Sequence, residues 1–123
     1  MNELNELEYT KEDIDAVSMA MILHAGNARL LIEEALNEVG KFNIDTACKL
    51  MEEASEEIKT AHIHQTKIIQ GQACGIEYDY SILFTHAQDT VMTINSEFNI
   101  TQHIISNYKI LNARLLEIES KIK

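Results

Sequence analysis

The run SILFTHAQDTVMTINSEFNITQHIISNYKILNARLLEIESKIK, from Ser81 to Lys123, contains neither glycine nor proline. No residue in it breaks a helix, so the spacing predicts one helix over its whole length. At about 100° per residue, Leu83, Phe84, Ala87, Val91, Ile94, Phe98 and Ile105 share one face. Ile82, Ile100, Ile104, Leu111, Leu115, Ile118 and Ile122 share a second, about 120° away by the same rotation. A helix in a three-helix monomer needs one apolar face. The other must be covered by a further subunit or stay exposed as a patch. His86, Asp89 and Thr93 lie along this second stripe, at or beside a subunit interface.

Upstream, two more helices are legible. Apolar residues recur at Ile14, Val17, Met21, Ala25, Ala28, Ile32, Ala35 and Val39, in steps of one helix face. Thr10 is the expected N-cap, with Asp13 at the positive end of that helix, and residues 1–9 read as a flexible lead-in. Gly26 interrupts the helix interior at a cost of about 1 kcal/mol, which suggests close approach by another group. Gly40 is the expected C′ residue. After a short link, Asn43 is the expected N-cap of a second helix, with Asp45 in its first turn. Its stripe is Ala47, Leu50, Met51, Ala54, Ile58, Ala61, Ile68 and Ile69, and it ends near Gly71 or Cys74. So short a link makes helices one and two antiparallel neighbours. Residues 71–80 form the longest turn-like segment, and Asp79 or Ser81 caps helix three.

The 123 residues suffice for one domain and not two. With no proline, four glycines and 46% hydrophobic residues, the class expected is all-α. A net charge of −10 repels nucleic acid and anionic membrane, and steers a basic protein partner instead. Cys48 and Cys74 make no disulfide scaffold, and the acidic start Met1 to Glu6 is no secretory signal. No apolar run reaches the roughly 18 residues of a membrane span. A cytoplasmic protein with reduced thiols is expected.

His86 is set apart from the other four histidines by its company. An imidazole three residues from a carboxylate on one helix face can have its tautomer fixed or its pKa raised. A neutral ring nitrogen is a good nucleophile towards phosphorus, and hydroxyls such as Thr85 and Thr90 could donate to phosphoryl oxygens. No glycine-rich phosphate cradle exists, so a protein phosphate donor fits better than ATP. His62 and His64 face different ways and form no metal pair. No histidine has Glu three residues before it, which argues against a di-iron bundle. Asp89 either points into solvent at a cleft edge or, in a trimer about helix three, converges with its copies on a hard cation such as Mg²⁺.

Three ordered motifs carry a resemblance. They are Leu23-His24-Ala25-Gly26-Asn27-Ala28-Arg29, then Leu50-Met51-Glu52-Glu53-Ala54 with Ala61-His62-Ile63-His64-Gln65-Thr66, then Ser81 through Asp89. Together they resemble the lactose/cellobiose class of phosphotransferase-system enzyme IIA. The resemblance implies a homotrimer of antiparallel three-helix bundles, one domain over residues 1–123. It implies that His86 accepts phosphate from the phosphocarrier HPr and passes it to a cysteine of IIB. Gln88, Thr85 and Thr90 would support the phosphoryl group. It also implies three Asp89 carboxylates holding one divalent cation, Mg²⁺ or similar, on the three-fold axis. Sugar would not be bound directly, and the membrane would be met only through the IIC transporter. The family pattern has a second histidine where this chain has Thr90, which removes any assisting role of that residue but not the nucleophile. Residues 111–123 run past the family's usual end and are expected to lengthen helix three. A histidine-phosphotransfer signalling module and a regulatory or structural helical trimer are the competing classes. The signalling class usually keeps a lysine near its histidine, where this chain has Asp89.

Overall fold

The computed structural model describes residues 11–122, and it consists of three helices with no strand among them. They are α1 (Lys11–Gly40), α2 (Ile44–Ala73) and α3 (Ile82–Ile122). The expected cap at Thr10 and the lead-in 1–9 lie outside the described residues.

Cross-links set the topology. Ser81 Oγ donates to Asp15, Arg29 donates to Glu97, and the Phe42 ring meets the Tyr108 ring. The sequence offset stays nearly constant along these pairs, so α1 and α3 run parallel. His24 and Glu57, in contact at 2.6 Å, link α1 to an antiparallel α2. The core is built from small residues. Ala25, Ala28, Ala35, Ala47, Ala54, Ala61 and Ala87 are buried, and Met21, Met51 and Ile94 are the largest side chains closed off entirely. Alanine at so many crossing positions lets helix axes approach to the near end of the usual 8–10 Å range. The expected stripes of α1 and α2 are this core, except that Ile69 faces solvent and Val17, Leu50 and Ile58 are half-buried. Buried Ser18 and Thr101 donate to the carbonyls of Ile14 and Glu97, so neither hydroxyl is left unsatisfied.

Both α1 and α2 end in the same hydrogen-bonded device. Asn43 N–H bonds Glu38 O while Phe42 N–H bonds Val39 O, and Ile76 N–H bonds Gly71 O while Gly75 N–H bonds Gln72 O. These are the paired long and short bonds of a Schellman motif. Gly75 fills the left-handed position of the second, at φ 95°. In the first, that position belongs to Phe42, at φ 60°, and not to Gly40, which is the last residue of α1. A phenylalanine there costs about 1–2 kcal/mol in backbone sterics. Its ring lies 5.6 Å from that of Tyr108, a contact that offsets part of this cost.

Two further expectations are corrected. Asn43 stands at the N-cap position of α2 but makes no capping bond: its backbone sits at φ −83°, ψ 67°, and its side-chain N–H donates to Glu38 at 2.7 Å. Gly26 is not crowded, since a Cβ there would meet nothing within 4 Å in this chain. Ser81, of the two candidates named, is the real cap of α3: its Oγ accepts the N–H of Phe84 at 3.1 Å. Ser81→Ala is therefore expected to lower stability by about 1 kcal/mol, with Asn43→Ala changing it by less than about half that. Urea unfolding of the two variants checks the order, and a larger loss for Asn43→Ala would contradict the capping geometry.

Candidate functional site

His86 sits in the second turn of α3 with its side chain exposed, and Asp89, Thr90 and Thr93 surround it on the same face. Rotation of about 100° per residue keeps these four within about 60° of His86. The expected His86–Asp89 pairing is not made. Among the described residues no ion pair or hydrogen bond joins them, and each side chain faces outward. The threonine hydroxyls are also committed differently from expectation. Thr90 donates to the His86 carbonyl at 2.8 Å, Thr93 to that of Asp89 at 2.7 Å, and Thr85 to that of Ser81 at 3.2 Å. Each is a helical bond to the residue four before it, the usual alternative for a hydroxyl on a helix surface. In this state Thr85 and Thr90 present lone pairs outward, and the O–H must turn about its Cβ–Oγ bond, giving up the helical bond, before either can donate to a phosphoryl oxygen.

Gln88 and Thr85 stand apart from this group. Both line a cavity of about 300 Å³ beside the α2–α3 loop, with Tyr78, Asp79, Tyr80, Ser81 and Phe84. Gln88 lies about 160° round the helix from His86, so one chain does not bring the two side chains together. A second cavity, of about 410 Å³, opens between α2 and α3 and is lined by Lys59, His62, Gln65, Val91, Met92 and Asn95 among others. His86 lines neither.

The surface next to His86 is apolar. On α3, Ile82 and Ile100 of the second stripe are exposed by 73% and 61%, and Leu111, Leu115, Ile118 and Ile122 are exposed as well. Ile104 alone of that stripe is packed against the core. A strip that sequence reasoning missed runs along α1: Met19, Leu23 and Leu30 are all exposed. The spacing of four and seven was available as a signal, but it lies on the face opposite the stronger core stripe, where polar residues are expected. Gly26 falls on the edge of this strip, where it leaves room for something outside the chain. Between the two apolar strips, Arg29 of α1 forms a two-pronged bond to Glu97 of α3, at 3.1 and 2.9 Å. A fork of this kind fixes the rotational phase of the two helices more than it stabilises them, because both partners are part-exposed.

The other histidines belong to a different surface. His24 Nδ1 and Glu57 are 2.6 Å apart, and the His24 and His64 rings stack at 6.4 Å between α1 and α2. His62 and His103 are exposed. Burial first, then Lys67 and His24, hold the His64 pKa below its ordinary 6.5. A depressed histidine pKa means the unfolded chain takes the proton first. Stability is then whole above pH 6.5 and drains as the pH falls towards the folded-state pKa. His64 is thus expected to titrate below 6.5 by NMR, and His64→Gln to flatten the fall of Tm on acidification. An equally steep fall in the variant would assign the loss elsewhere.

Comparison with known proteins agrees with this architecture. The family model described as "PTS system, Lactose/Cellobiose specific IIA subunit" matches residues 16–109. The chain is 35% identical to the lactose-specific EIIA component of Lacticaseibacillus casei, over 91% of this chain and 96% of that one. It is 32% identical to the lichenan-specific enzyme IIA component of Bacillus subtilis, over 80% and 89%. Among solved structures, PtcA from S. mutans superposes with a TM-score of 0.80 at 31% identity, over 82% of this chain and 99% of that one. The cellobiose-specific enzyme IIA from Bacillus anthracis gives 0.77 at 33% identity, over 86% and 95%.

Proposed function

The chain belongs to the lactose/cellobiose-specific IIA subunits of the sugar phosphotransferase system, a family that serves sugar uptake, and on that premise we propose that His86 carries the phosphoryl group. The observation that supports this most is the exposed imidazole of His86, on a helix face with no enclosing pocket, inside the family-matched span. A ring nitrogen bearing a lone pair attacks phosphorus of phosphorylated HPr, the bond to the donor's residue breaks, and a P–N bond forms on His86. In the second step a cysteine thiolate of IIB attacks the same phosphorus, and the imidazole leaves with its electron pair. The surrounding helix face supplies position and no acid–base machinery of its own. Thr90 can turn its hydroxyl towards the phosphoryl oxygens when the group arrives. The added charge of about −1.5 to −2 enters a chain already at −10, which favours basic partner surfaces. The transfer is set in the cytoplasm, with the membrane reached only through IIC. Relatives carry different sugar names, among them lactose, lichenan and N,N'-diacetylchitobiose. That diversity fits a protein that meets other proteins and not the sugar.

The assembly we propose is a homotrimer about the second stripe of α3. Among the described residues of one chain, no group of three His, Cys, Asp or Glu side chains is placed to hold a metal. Three copies would bring the exposed Asp89 carboxylates together, an oxygen-only set suited to Mg²⁺ or a similar hard cation. That cation would offset like-charge repulsion in a site shielded from water. Gln88 and Thr85, turned away from His86 in one chain, would then act from the flank where a partner docks.

Two experiments test this reading. His86→Ala is expected to keep its helical circular dichroism and to take no label from phosphorylated HPr, read by intact mass. Acid-labile phosphate persisting on the variant would move the site to His24, His62, His64 or His103, and would remove the proposal. Asp89→Asn is expected to stay trimeric and to melt identically with and without chelator, while the wild type loses thermal stability in chelator. An unchanged wild-type melt would remove the metal and leave phosphoryl transfer at His86 standing.

A further inference from the structure

The cavity of about 410 Å³ between α2 and α3 has no part in the chemistry proposed for His86. Five polar side chains line it. Helix α2 supplies Ser55, Lys59, His62 and Gln65, and α3 supplies Asn95. None of the five side chains forms a hydrogen bond or an ion pair among the described residues. Gln65 is the informative one. It is only 7% exposed, and an amide at that depth is ordinarily paired. Among the described residues, no side-chain nitrogen or oxygen sealed from solvent lacks a partner. The Gln65 amide is therefore reached from outside, through the cavity it lines. A half-desolvated amide left unbonded costs the free chain stability, and a ligand that bonds it removes that cost.

The lining also has a sign. The chain carries a net charge of −10, yet no Asp or Glu is among the residues lining this cavity. Lys59 has Glu56 three positions before it on α2 and makes no ion pair with it. Lysine, imidazole, amide and hydroxyl can all donate, so the set suits an anion with several acceptor oxygens. Donors from two helices approach from different directions, which a tetrahedral oxyanion accepts better than a planar carboxylate. Ile58, Val91 and Met92 add apolar wall. The volume is that of a small-molecule site, and a bare phosphate would leave the wall unused. At the cavity's edge Ser55 also borders Glu52, Glu53 and Glu56. Those carboxylates oppose an anion held by charge alone, and favour one that buries a carbon body as well.

We propose that this cavity binds a small phosphomonoester, with its phosphate on Lys59, His62 and Gln65 and its carbon body against Ile58, Val91 and Met92. Val91 follows His86 by five residues on α3, about 7.5 Å along the axis. The ligand thus bridges α2 to the helix that carries the histidine, and its occupancy braces one against the other. No bond to phosphorus forms or breaks at this site. The inference does not depend on the phosphoryl transfer proposed for His86.

NMR titration of the isotope-labelled full-length protein tests it, with phenyl phosphate as the probe and inorganic phosphate, benzoate and phenol as comparisons. Phenyl phosphate is expected to give saturable shifts confined to residues 55–65 and 91–95, and to bind about tenfold more tightly than each of the other three. Lys59→Met changes an exposed residue, and is expected to weaken phenyl phosphate about tenfold with the fold unchanged. Gln65→Leu is expected to weaken it by a similar factor, roughly five- to tenfold, and to leave Tm equal or higher, because it removes an unbonded amide. An amide with a purely structural role would instead lower Tm and leave the affinity alone, which would overturn the proposal. Affinity unchanged in Lys59→Met would overturn it, as would inorganic phosphate binding as tightly as the ester. So would a wild type with no saturable shifts at millimolar probe, the result expected where a neighbouring macromolecule covers the cavity. His86 labelling, measured on the same variants, reports separately on phosphoryl transfer.

Discussion

A helix with two apolar faces cannot be satisfied inside a three-helix bundle. Helix α3 turns Ala87, Val91, Ile94 and Ile105 towards α1 and α2, and these are buried. The second face is left to solvent in one chain, at Ile82, Ile100, Leu111, Leu115, Ile118 and Ile122. Burial of a large aliphatic side chain is worth about 1.5–3 kcal/mol. Six of them amount to roughly ten kcal/mol, as much as the whole stability of an ordinary domain. Most other features follow from this imbalance. The face that carries His86 and Asp89 is a face the monomer leaves open, and the apolar strip on α1 lies at its border.

Polar links decide where that face points. Arg29–Glu97 and Asp15–Ser81 tie α1 to α3 at two levels, and His24–Glu57 ties α1 to α2. Part-exposed pairs contribute little stability, about 0–1 kcal/mol each. Their effect is angular. The alanine-rich core gives few large side chains to resist a helix turning about its axis, whereas a bidentate fork between guanidinium and carboxylate does resist it. Rotation of α3 by one residue's worth, about 100°, would bury His86 and expose core. The fork at Arg29 therefore belongs to the geometry of the site, although it lies three turns from the histidine.

Much of this was legible in the sequence, because helix periodicity reports burial directly. The three helices, the core stripes and the open second face of α3 were all read from spacing. What failed depended on competition between local groups. Asn43 has the right chemistry for a cap, yet its backbone turns to φ −83° and ψ 67° and its side-chain oxygen takes no α2 N–H. Gly40 has the right freedom for a left-handed residue, yet Phe42 takes that role because its ring gains Tyr108. Thr85, Thr90 and Thr93 have the right donors, yet the nearest acceptors are their own helix carbonyls. Gln88 joined His86 through the family resemblance, and two positions along a helix set the two side chains about 160° apart in one chain. Met19, Leu23 and Leu30 escaped because they lie opposite the core stripe of α1, where an amphipathic helix is expected to be polar.

The position of the histidine also separates kinds of chemistry. An enzyme acting on a small molecule encloses most of it, and lines the pocket with apolar walls and a few polar groups. The two cavities described lie along α2 and α3, and His86 lines neither. As the nucleophile proposed above, His86 draws on no pocket of its own chain. It depends on another macromolecule to exclude water and to supply the donors that stabilise the phosphoryl group in transit. That division of labour is what the proposed relay between proteins requires, since the same imidazole would be reached first by a donor and then by an acceptor.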